Sequence, residues 1–123
     1  MIQGEDIQVR LTLTDGTNPI PPSTLNAYSV VIYYLASAKK TPLATFLSSN
    51  VGLFDIVVFD DALGKIDIFL NRNITARFPF GNIYAEVFIQ ESASSEFILA
   101  LANNGVNEIL IDEVKTSANP LVL

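Results

Sequence analysis

The stretch Ile7–Thr14, which reads IQVRLTLT, decides the fold class of this chain. Apolar side chains occupy every second position, and polar side chains fill the positions between them. Because successive side chains of a strand point to opposite faces of a sheet, this alternation predicts a strand with one buried face. The Asp15-Gly16 pair predicts the end of that strand, and a proline-rich connection follows it.

Similar runs of β-branched and aromatic residues recur along the chain. Residues 28–35 (YSVVIYYL) are apolar at almost every position, which predicts a central strand that is covered on both faces or has one face at a subunit interface. The sequence at 39–42 (KKTP) predicts a turn after it. Further strands are predicted at 43–47, 53–59, 65–71, 82–90, 97–101 and 109–114, and further turns at 60–64, 92–95 and 103–105.

About eight short strands with regular turn signals predict an antiparallel sandwich or barrel in one domain that spans residues 1–123. At most one short helical turn is expected, within residues 73–78. A helix over residues 92–102 is the alternative for that segment, since Ser94 or Ser95 is a suitable N-cap. Tyr84, after Gly81 near the start of a late strand, matches the corner tyrosine of immunoglobulin-like sandwiches and favours that form of the fold.

Composition excludes several classes of function. Of the 123 residues, 50% are apolar and 16% are charged, so the chain is not a disordered segment. It contains no Cys, His or Trp, which excludes disulfides, Cys/His zinc sites and catalysis by histidine. We therefore expect no cofactor. A net charge of −6 with scattered basic residues disfavours nucleic acid and anionic membranes as partners.

The mean hydropathy of +0.39 is high for a domain of this size, and large exposed apolar patches usually mark interfaces. We therefore expect part of the surface to be covered by other subunits. The first six residues carry two acids and no basic segment, so no signal peptide is predicted. The longest uncharged stretch, 16–38, contains three prolines, which argues against a membrane-spanning helix.

Carboxylates are the only residues of this chain suited to catalysis. Asp60 and Asp61 are adjacent, with Asp55 and Asp67 on either side. Adjacent side chains in a turn that ends in glycine point apart, so a solvated turn is predicted rather than an acid pair or a calcium site. We expect no catalytic residue and no metal ligand, and we expect that the chain is not an enzyme.

Other side chains are candidates for contacts with neighbouring proteins. Tyr33 and Tyr34 are adjacent on a predicted strand, so one faces inward and one outward. The FPF sequence at 78–80 predicts a plug in the core. Beyond Pro120, an apolar tail at about 116–123 predicts either an edge strand of its own sandwich or strand addition to a neighbour. The predicted interface residues are Ile2, Pro21, Pro22, Tyr33, Tyr34, Leu121, Val122 and Leu123.

Three segments carry a resemblance to known proteins: 2–16 (IQGEDIQVRLTLTDG), 61–68 (DALGKIDI) and 81–87 (GNIYAEV). They resemble immunoglobulin-like modules in the virions of tailed phages. Such modules form the N-terminal domains of phage baseplate upper proteins, and similar small structural proteins occur in crAss-like and other Bacteroidetes phages. The resemblance implies an immunoglobulin-like sandwich of about seven to nine strands. It also implies a structural or adaptor subunit of a virion, made in the host cytoplasm, whose partners are other virion proteins and copies of itself.

Two other functions are compatible with the sequence. One is a carbohydrate- or peptide-binding module that uses an exposed Tyr/Phe platform and the Asp60-Asp61 turn. The other is an enzyme built on a pair of carboxylates.

Overall fold

The computed structural model describes residues 1–48, 56–102 and 108–115 of the chain, and these ranges contain nine strands and two short helical turns. The strands are β1 (Ile7–Thr14), β2 (Ala27–Ala36), β3 (Lys39–Leu47), β4 (Ile56–Asp60), β5 (Lys65–Leu70), β6 (Gly81–Gln90), β7 (Ile98–Leu99), β8 (Leu101–Ala102) and β9 (Ile109–Val114). The helical turns are a 3-10 turn at Pro22–Thr24 and a four-residue α-helix, α1, at Arg72–Thr75. The sequence predicted at most one.

The strands form two sheets in which every pair of named strands is antiparallel. In the small sheet the order is β4-β5-β1-β8. In the large sheet β3, β2 and β6 are neighbours, and β7 and β9 pair with different parts of β6. β1 and β5 are neighbours in one sheet, and β3, β2, β6 and β9 follow one another in the other sheet. This distribution of strands between two sheets is the one found in immunoglobulin-like sandwiches. The predicted fold class is confirmed.

The core lies between the two sheets and follows the predicted alternation. On β1, Leu11 and Leu13 point inward and are fully buried. On β6, the same holds for Ile83, Ala85 and Val87, as their spacing predicts. The other large buried members of the core are Val30, Ile32, Phe46, Ile56, Ile66, Ile68, Leu70 and Phe78.

The hairpin between β2 and β3 differs from the prediction. The turn is made by Ser37 and Ala38, with φ of 52° and 65°, and not by residues 39–42, which belong to β3. Positive φ at both central residues gives a turn whose twist matches that of the flanking strands. Pro42 fits within β3 because β3 is an edge strand, where a missing N–H breaks no ladder.

The segment predicted as one strand at 97–101 is divided between the two sheets. Ile98–Leu99 pairs with β6, and Leu101–Ala102 pairs with the end of β1. The chain crosses at Ala100, whose N–H donates to the Val87 carbonyl at 2.8 Å. The alternative of a helix over 92–102 is therefore wrong. The predicted turn at 103–105, residues 53–55 and the tail at 116–123 lie outside the described residues.

The connection from β5 to β6 is held by polar contacts to the first residues of the chain. Asn71 caps α1, its side chain accepting from the N–H groups of Asn73 and Ile74 at 2.9 and 3.0 Å. The hydroxyl of the fully buried Thr75 donates to the Glu5 carbonyl at 2.7 Å. Tyr84 lies beyond this corner and on the outer side of β6, so the corner-tyrosine prediction is wrong.

Candidate interaction surface

The outer face of the large sheet collects apolar side chains in register across its strands. One row runs from Leu47 on β3 through Ser29 and Phe88 to Leu99 on β7. A second row joins Tyr33 on β2 to Tyr84 on β6 and Leu110 on β9. Together with Val31 and Glu86 between the two rows, these side chains form what we call the large-sheet face.

The large-sheet face leaves much of its apolar area open. Leu110 is 57% exposed, and Leu47 and Leu99 are each about two fifths exposed. The chain itself supplies no helix or third layer over this face within the described residues. An apolar sheet face of this kind is typical of surfaces that another protein covers.

A single ion pair interrupts the apolar rows. The ammonium of Lys40 lies 2.6 Å from Oε1 of Glu86, whose side chain is only 10% exposed. This contact raises the pKa of Lys40, because the neighbouring carboxylate favours the charged ammonium. The same ammonium lies 5.3 Å from the centre of the Tyr33 ring. The pair therefore presents no unpaired charge to a partner.

Tyr33 is buried although it points away from the core. Its ring stacks on Tyr84, with ring centres 5.6 Å apart and planes 24° apart. Its hydroxyl finds no partner of good hydrogen-bond geometry among the described residues. Burial raises the pKa of this hydroxyl, and the neighbouring Glu108 carboxylate raises it further. These stacked rings and the ion pair give the centre of the large-sheet face a fixed shape.

The outer face of the small sheet carries a polar cluster beside the exposed ring of Phe59. The Asp67 side chain, 6% exposed, accepts from the Arg10 guanidinium at 2.8 and 3.0 Å and from Gln8 at 2.8 Å. The hydrogen bonds from Arg10 hold the pKa of Asp67 below its usual value. Arg10 also lies 3.3 Å from the centre of the exposed Phe59 ring, an attractive cation–π geometry. The polar side chains Gln8, Arg10 and Asp67 of this face therefore form hydrogen bonds with one another.

The predicted interface residues are not brought together in one surface. Ile2 is partly buried and pairs with Lys115 beside the end of β9. Pro21 is partly buried, and Pro22 is buried. Tyr33 is likewise buried, and the partly buried Tyr34 is the more open of the two tyrosines. Leu121, Val122 and Leu123 lie outside the described residues.

The Asp60-Asp61 turn is used by the chain itself. Both oxygens of Asp61 accept from Ser23, from its N–H at 2.8 Å and its hydroxyl at 2.6 Å, which lowers the pKa of Asp61. These two hydrogen bonds link the proline-rich connection to the turn between β4 and β5. No group of three or more potential metal ligands occurs within the described ranges.

Two further carboxylates form ion pairs within the chain. Asp6 binds the backbone and guanidinium of Arg72, and Glu86 binds Lys40. A groove of about 550 Å³ runs beside Asp6, Gln8 and Asn71, and each of these side chains already hydrogen-bonds within the chain. Within the described residues, the polar side chains beside this groove are therefore engaged in the chain's own hydrogen bonds.

Sequence reasoning did not single out the exposed apolar residues Leu47, Leu99 and Leu110. Leu110 stands between Ile109 and Ile111, so periodicity did not identify an outward position there. The available signals were the excess of apolar residues and the apolar run at 28–35, for which one face at a subunit interface was predicted; neither identified these three leucines.

No helix in the described part of the chain is long and apolar enough to cross a membrane. Neither a protein-family model nor a curated protein sequence matches the chain.

Proposed function

We propose that this chain is a non-enzymatic structural or adaptor subunit of a tailed-phage virion, which assembles by protein–protein contacts in symmetric copies. The observation that carries the proposal is the large-sheet face, with three leucines exposed around the stacked rings of Tyr33 and Tyr84 and the Lys40–Glu86 ion pair. Apolar side chains of such a face lose water on docking, and its Lys40–Glu86 charges enter the interface as a pair. The resemblance of segments 2–16, 61–68 and 81–87 to phage modules supplies the virion context.

In this proposal the large-sheet face contacts another protein of the particle. The apolar rows supply the hydrophobic centre that stable interfaces share. A standard interface buries about 800 Å² on each partner, an area comparable with one face of a small sandwich.

The test is incorporation into particles of the phage that carries the gene. Leu99→Asp combined with Leu110→Asp places two charges on the large-sheet face. The expected result is loss of the double variant from purified particles, measured by quantitative mass spectrometry, with an unchanged circular dichroism spectrum. Leu63→Asp is the matched control, because Leu63 is similarly exposed but lies in the β4–β5 turn; it should be incorporated normally.

Absence of the wild-type chain from particles would overturn the virion assignment. Normal incorporation of the double variant would overturn the role of the large-sheet face.

The carbohydrate- or peptide-binding alternative stays a prediction with its own measurements. Its exposed Tyr/Phe platform was not assigned to particular residues, and its proposed turn includes Asp61, which binds Ser23. Binding on a glycan array, or a melting temperature raised by calcium, would support it.

A further inference from the structure

The described residues give the large-sheet face a cationic margin and an acidic margin. β3, at one margin, carries the exposed Lys39 and Lys40. The other margin carries two exposed acids, Glu108 just before β9 and Glu113 within it. Lys115 lies 3.9 Å from Glu113 and offsets one of these two charges. The two margins therefore have opposite net charge.

The charges of the face and its margins cancel over the described part of the chain. Three are cations and three are acids: Lys39, Lys40, Lys115, Glu86, Glu108 and Glu113. The other acid of β9, Asp112, binds the Met1 ammonium at 2.7 Å. The whole chain carries −6, so its excess negative charge belongs to other residues. A second copy therefore meets no net repulsion here, whereas a strongly charged partner gains little from a neutral face.

Lys40 and Glu113 lie at the same end of the face. Lys40 pairs with Leu35, and Glu113 pairs with Asn82. Leu35 and Asn82 each lie two residues from the row of Tyr33, toward the same end of the sheet and on the same face. A cation and an acid therefore occupy opposite margins at this end.

Leu47 and Leu99 occupy the two margins at the other end of the face. A twofold axis parallel to the strands exchanges the margins and keeps the position along the strands. It brings Lys40 of one copy opposite Glu113 of the other. It also brings Leu47 opposite Leu99, and each contact forms twice. Lys40 has three N–H donors, so it can bind Glu86 in its own chain and Glu113 in the second copy.

A twofold axis across the strands fits this pattern less well. It reverses the position along the strands, so it places Lys40 and Glu113 over the row of Leu47. Charges buried against leucine side chains lose their hydration without gaining an ion pair. The arrangement of charges and leucines therefore favours the axis that runs along the strands.

We propose that the large-sheet face docks on the same face of a second copy, around a twofold axis parallel to its strands. The inference rests on the proposed assembly function and names the partner of the large-sheet face. Two sheets that pack face to face keep their strands within about 30° of each other, which this axis allows. Because both copies use the same patch, the assembly closes as a dimer.

Sedimentation equilibrium of the full chain is the first test. We expect the wild type to have twice the monomer mass of 13.4 kDa. Glu113→Lys places a cation opposite Lys40 at both contacts, so the dissociation constant should rise about tenfold or more. Glu91→Lys is the matched control, since Glu91 is exposed in the turn after β6 and its replacement changes the net charge equally. It should leave the dissociation constant unchanged.

A charge-inverted chain tests the proposed register. Lys40→Glu, Glu86→Lys and Glu113→Lys in one chain reverse both the pair within the chain and the contact between copies. This triple variant should dimerise as tightly as the wild type. A dissociation constant as weak as that of Glu113→Lys would refute the contact of Lys40 with Glu113. A wild type that is monomeric at about 100 μM would refute the dimer.

Cross-linking gives a second test that needs no change of charge, because the full chain contains no Cys. Isotope-labelled Leu47→Cys chains are mixed with unlabelled Leu99→Cys chains and treated with a short bis-maleimide linker. Mass spectrometry should show Leu47–Leu99 products in several-fold excess over products that join two copies of the same variant. Leu63→Cys, exposed in the β4–β5 turn, replaces Leu99→Cys as the control and should show no such excess. Products in the ratio of random collision would overturn the proposed axis.

The two proposals fail in different ways. A wild-type chain that is monomeric, yet enters particles only with an intact large-sheet face, would refute the dimer and support the proposed function. A wild-type chain that forms the dimer but is absent from particles would refute the virion assignment alone.

Discussion

Lys40 and Glu86 lie two strands apart in the large sheet, yet their charged groups are 2.6 Å from each other across the Tyr33 ring. The lysine side chain is half-exposed, whereas the glutamate side chain is almost covered. The covered glutamate therefore depends on the ion pair more than the half-exposed lysine does.

Removal of Lys40 should destabilise the chain more than removal of the Glu86 charge. Lys40→Met leaves a carboxylate buried without a partner, whereas Glu86→Gln leaves an ammonium that water can solvate. We expect Lys40→Met to lower the melting temperature at pH 7 by several degrees and Glu86→Gln to lower it less. Lys39→Met, at an exposed position on the same strand, should leave it unchanged. A larger loss in Glu86→Gln would contradict the asymmetry.

The two phenylalanines of the FPF sequence should respond very differently to truncation. Phe78 is 1% exposed and Phe80 is 63% exposed, so only Phe78 is the core plug that the sequence predicted. Phe78→Ala should lower the free energy of unfolding by about 3–5 kcal/mol. Phe80→Ala should change it by less than about 0.5 kcal/mol. Urea unfolding measures both, and equal losses would show that Phe80 also packs in the core.

The stability of the chain at acid pH should depend on Asp67. Hydrogen bonds from Arg10 lower its pKa in the folded state below the unfolded value of about 3.9. The unfolded chain then binds this proton more readily, so the stabilisation is complete above the unfolded pKa and is lost as pH falls through the folded pKa.

Asp67→Asn should therefore be less stable than the wild type at pH 7, and the difference should shrink below about pH 4. Urea unfolding of both chains across this pH range measures the effect. A difference that stays constant with pH would mean that the loss of stability in Asp67→Asn does not depend on ionisation of the carboxyl group. That result would contradict the proposed role of its charge.

The β2–β3 turn offers a stabilising change. Ser37 and Ala38 both adopt positive φ, which costs an L-residue with a side chain about 1–2 kcal/mol. Ser37→Asn with Ala38→Gly supplies the residues preferred in such turns and should raise the free energy of unfolding by about 1 kcal/mol. Ala38→Val should lower it. Loss of stability in the Asn-Gly variant, measured by urea unfolding, would argue against this turn.

Gly64 is expected to be the least replaceable glycine described. Its φ is +69°, and an added Cβ would lie 2.6 Å from the Leu13 carbonyl oxygen and 2.9 Å from that of Ile20. These oxygens belong to the backbone, so relief requires the strand to move. Gly64→Ala should lower the free energy of unfolding by more than about 2 kcal/mol.

Gly4→Ala is the matched control, with φ +86° and no atom within 4 Å of the added Cβ. It should cost only the backbone term of about 1–2 kcal/mol. Equal losses of stability in thermal or urea unfolding would mean that the positive φ alone makes Gly64 hard to replace. The clash with the Leu13 carbonyl would then add nothing.

The strand positions were largely predictable from local pattern. The alternation at Ile7–Thr14 and the inward residues of β6 gave the correct buried faces, since side-chain direction in a strand is a local property. The turn at Ser37–Ala38 was not predictable, because neither residue prefers positive φ and the turn is imposed by the pairing of β2 with β3. The same applies to the division between β7 and β8, which depends on two distant strands.

By itself the sequence determined an antiparallel β-sandwich without histidine or cysteine chemistry, because residue types and period-two alternation act within a few neighbouring positions. Only the tertiary structure decided which apolar residues remain outside and how the segment 98–102 is divided between the two sheets. Leu110 is exposed because β9 pairs with β6 in the register that turns it to the outer face. The segment 98–102 is divided because Ile98–Leu99 pairs with β6 and Leu101–Ala102 pairs with the end of β1. Both outcomes depend on pairings between segments far apart in the chain, which local patterns do not encode.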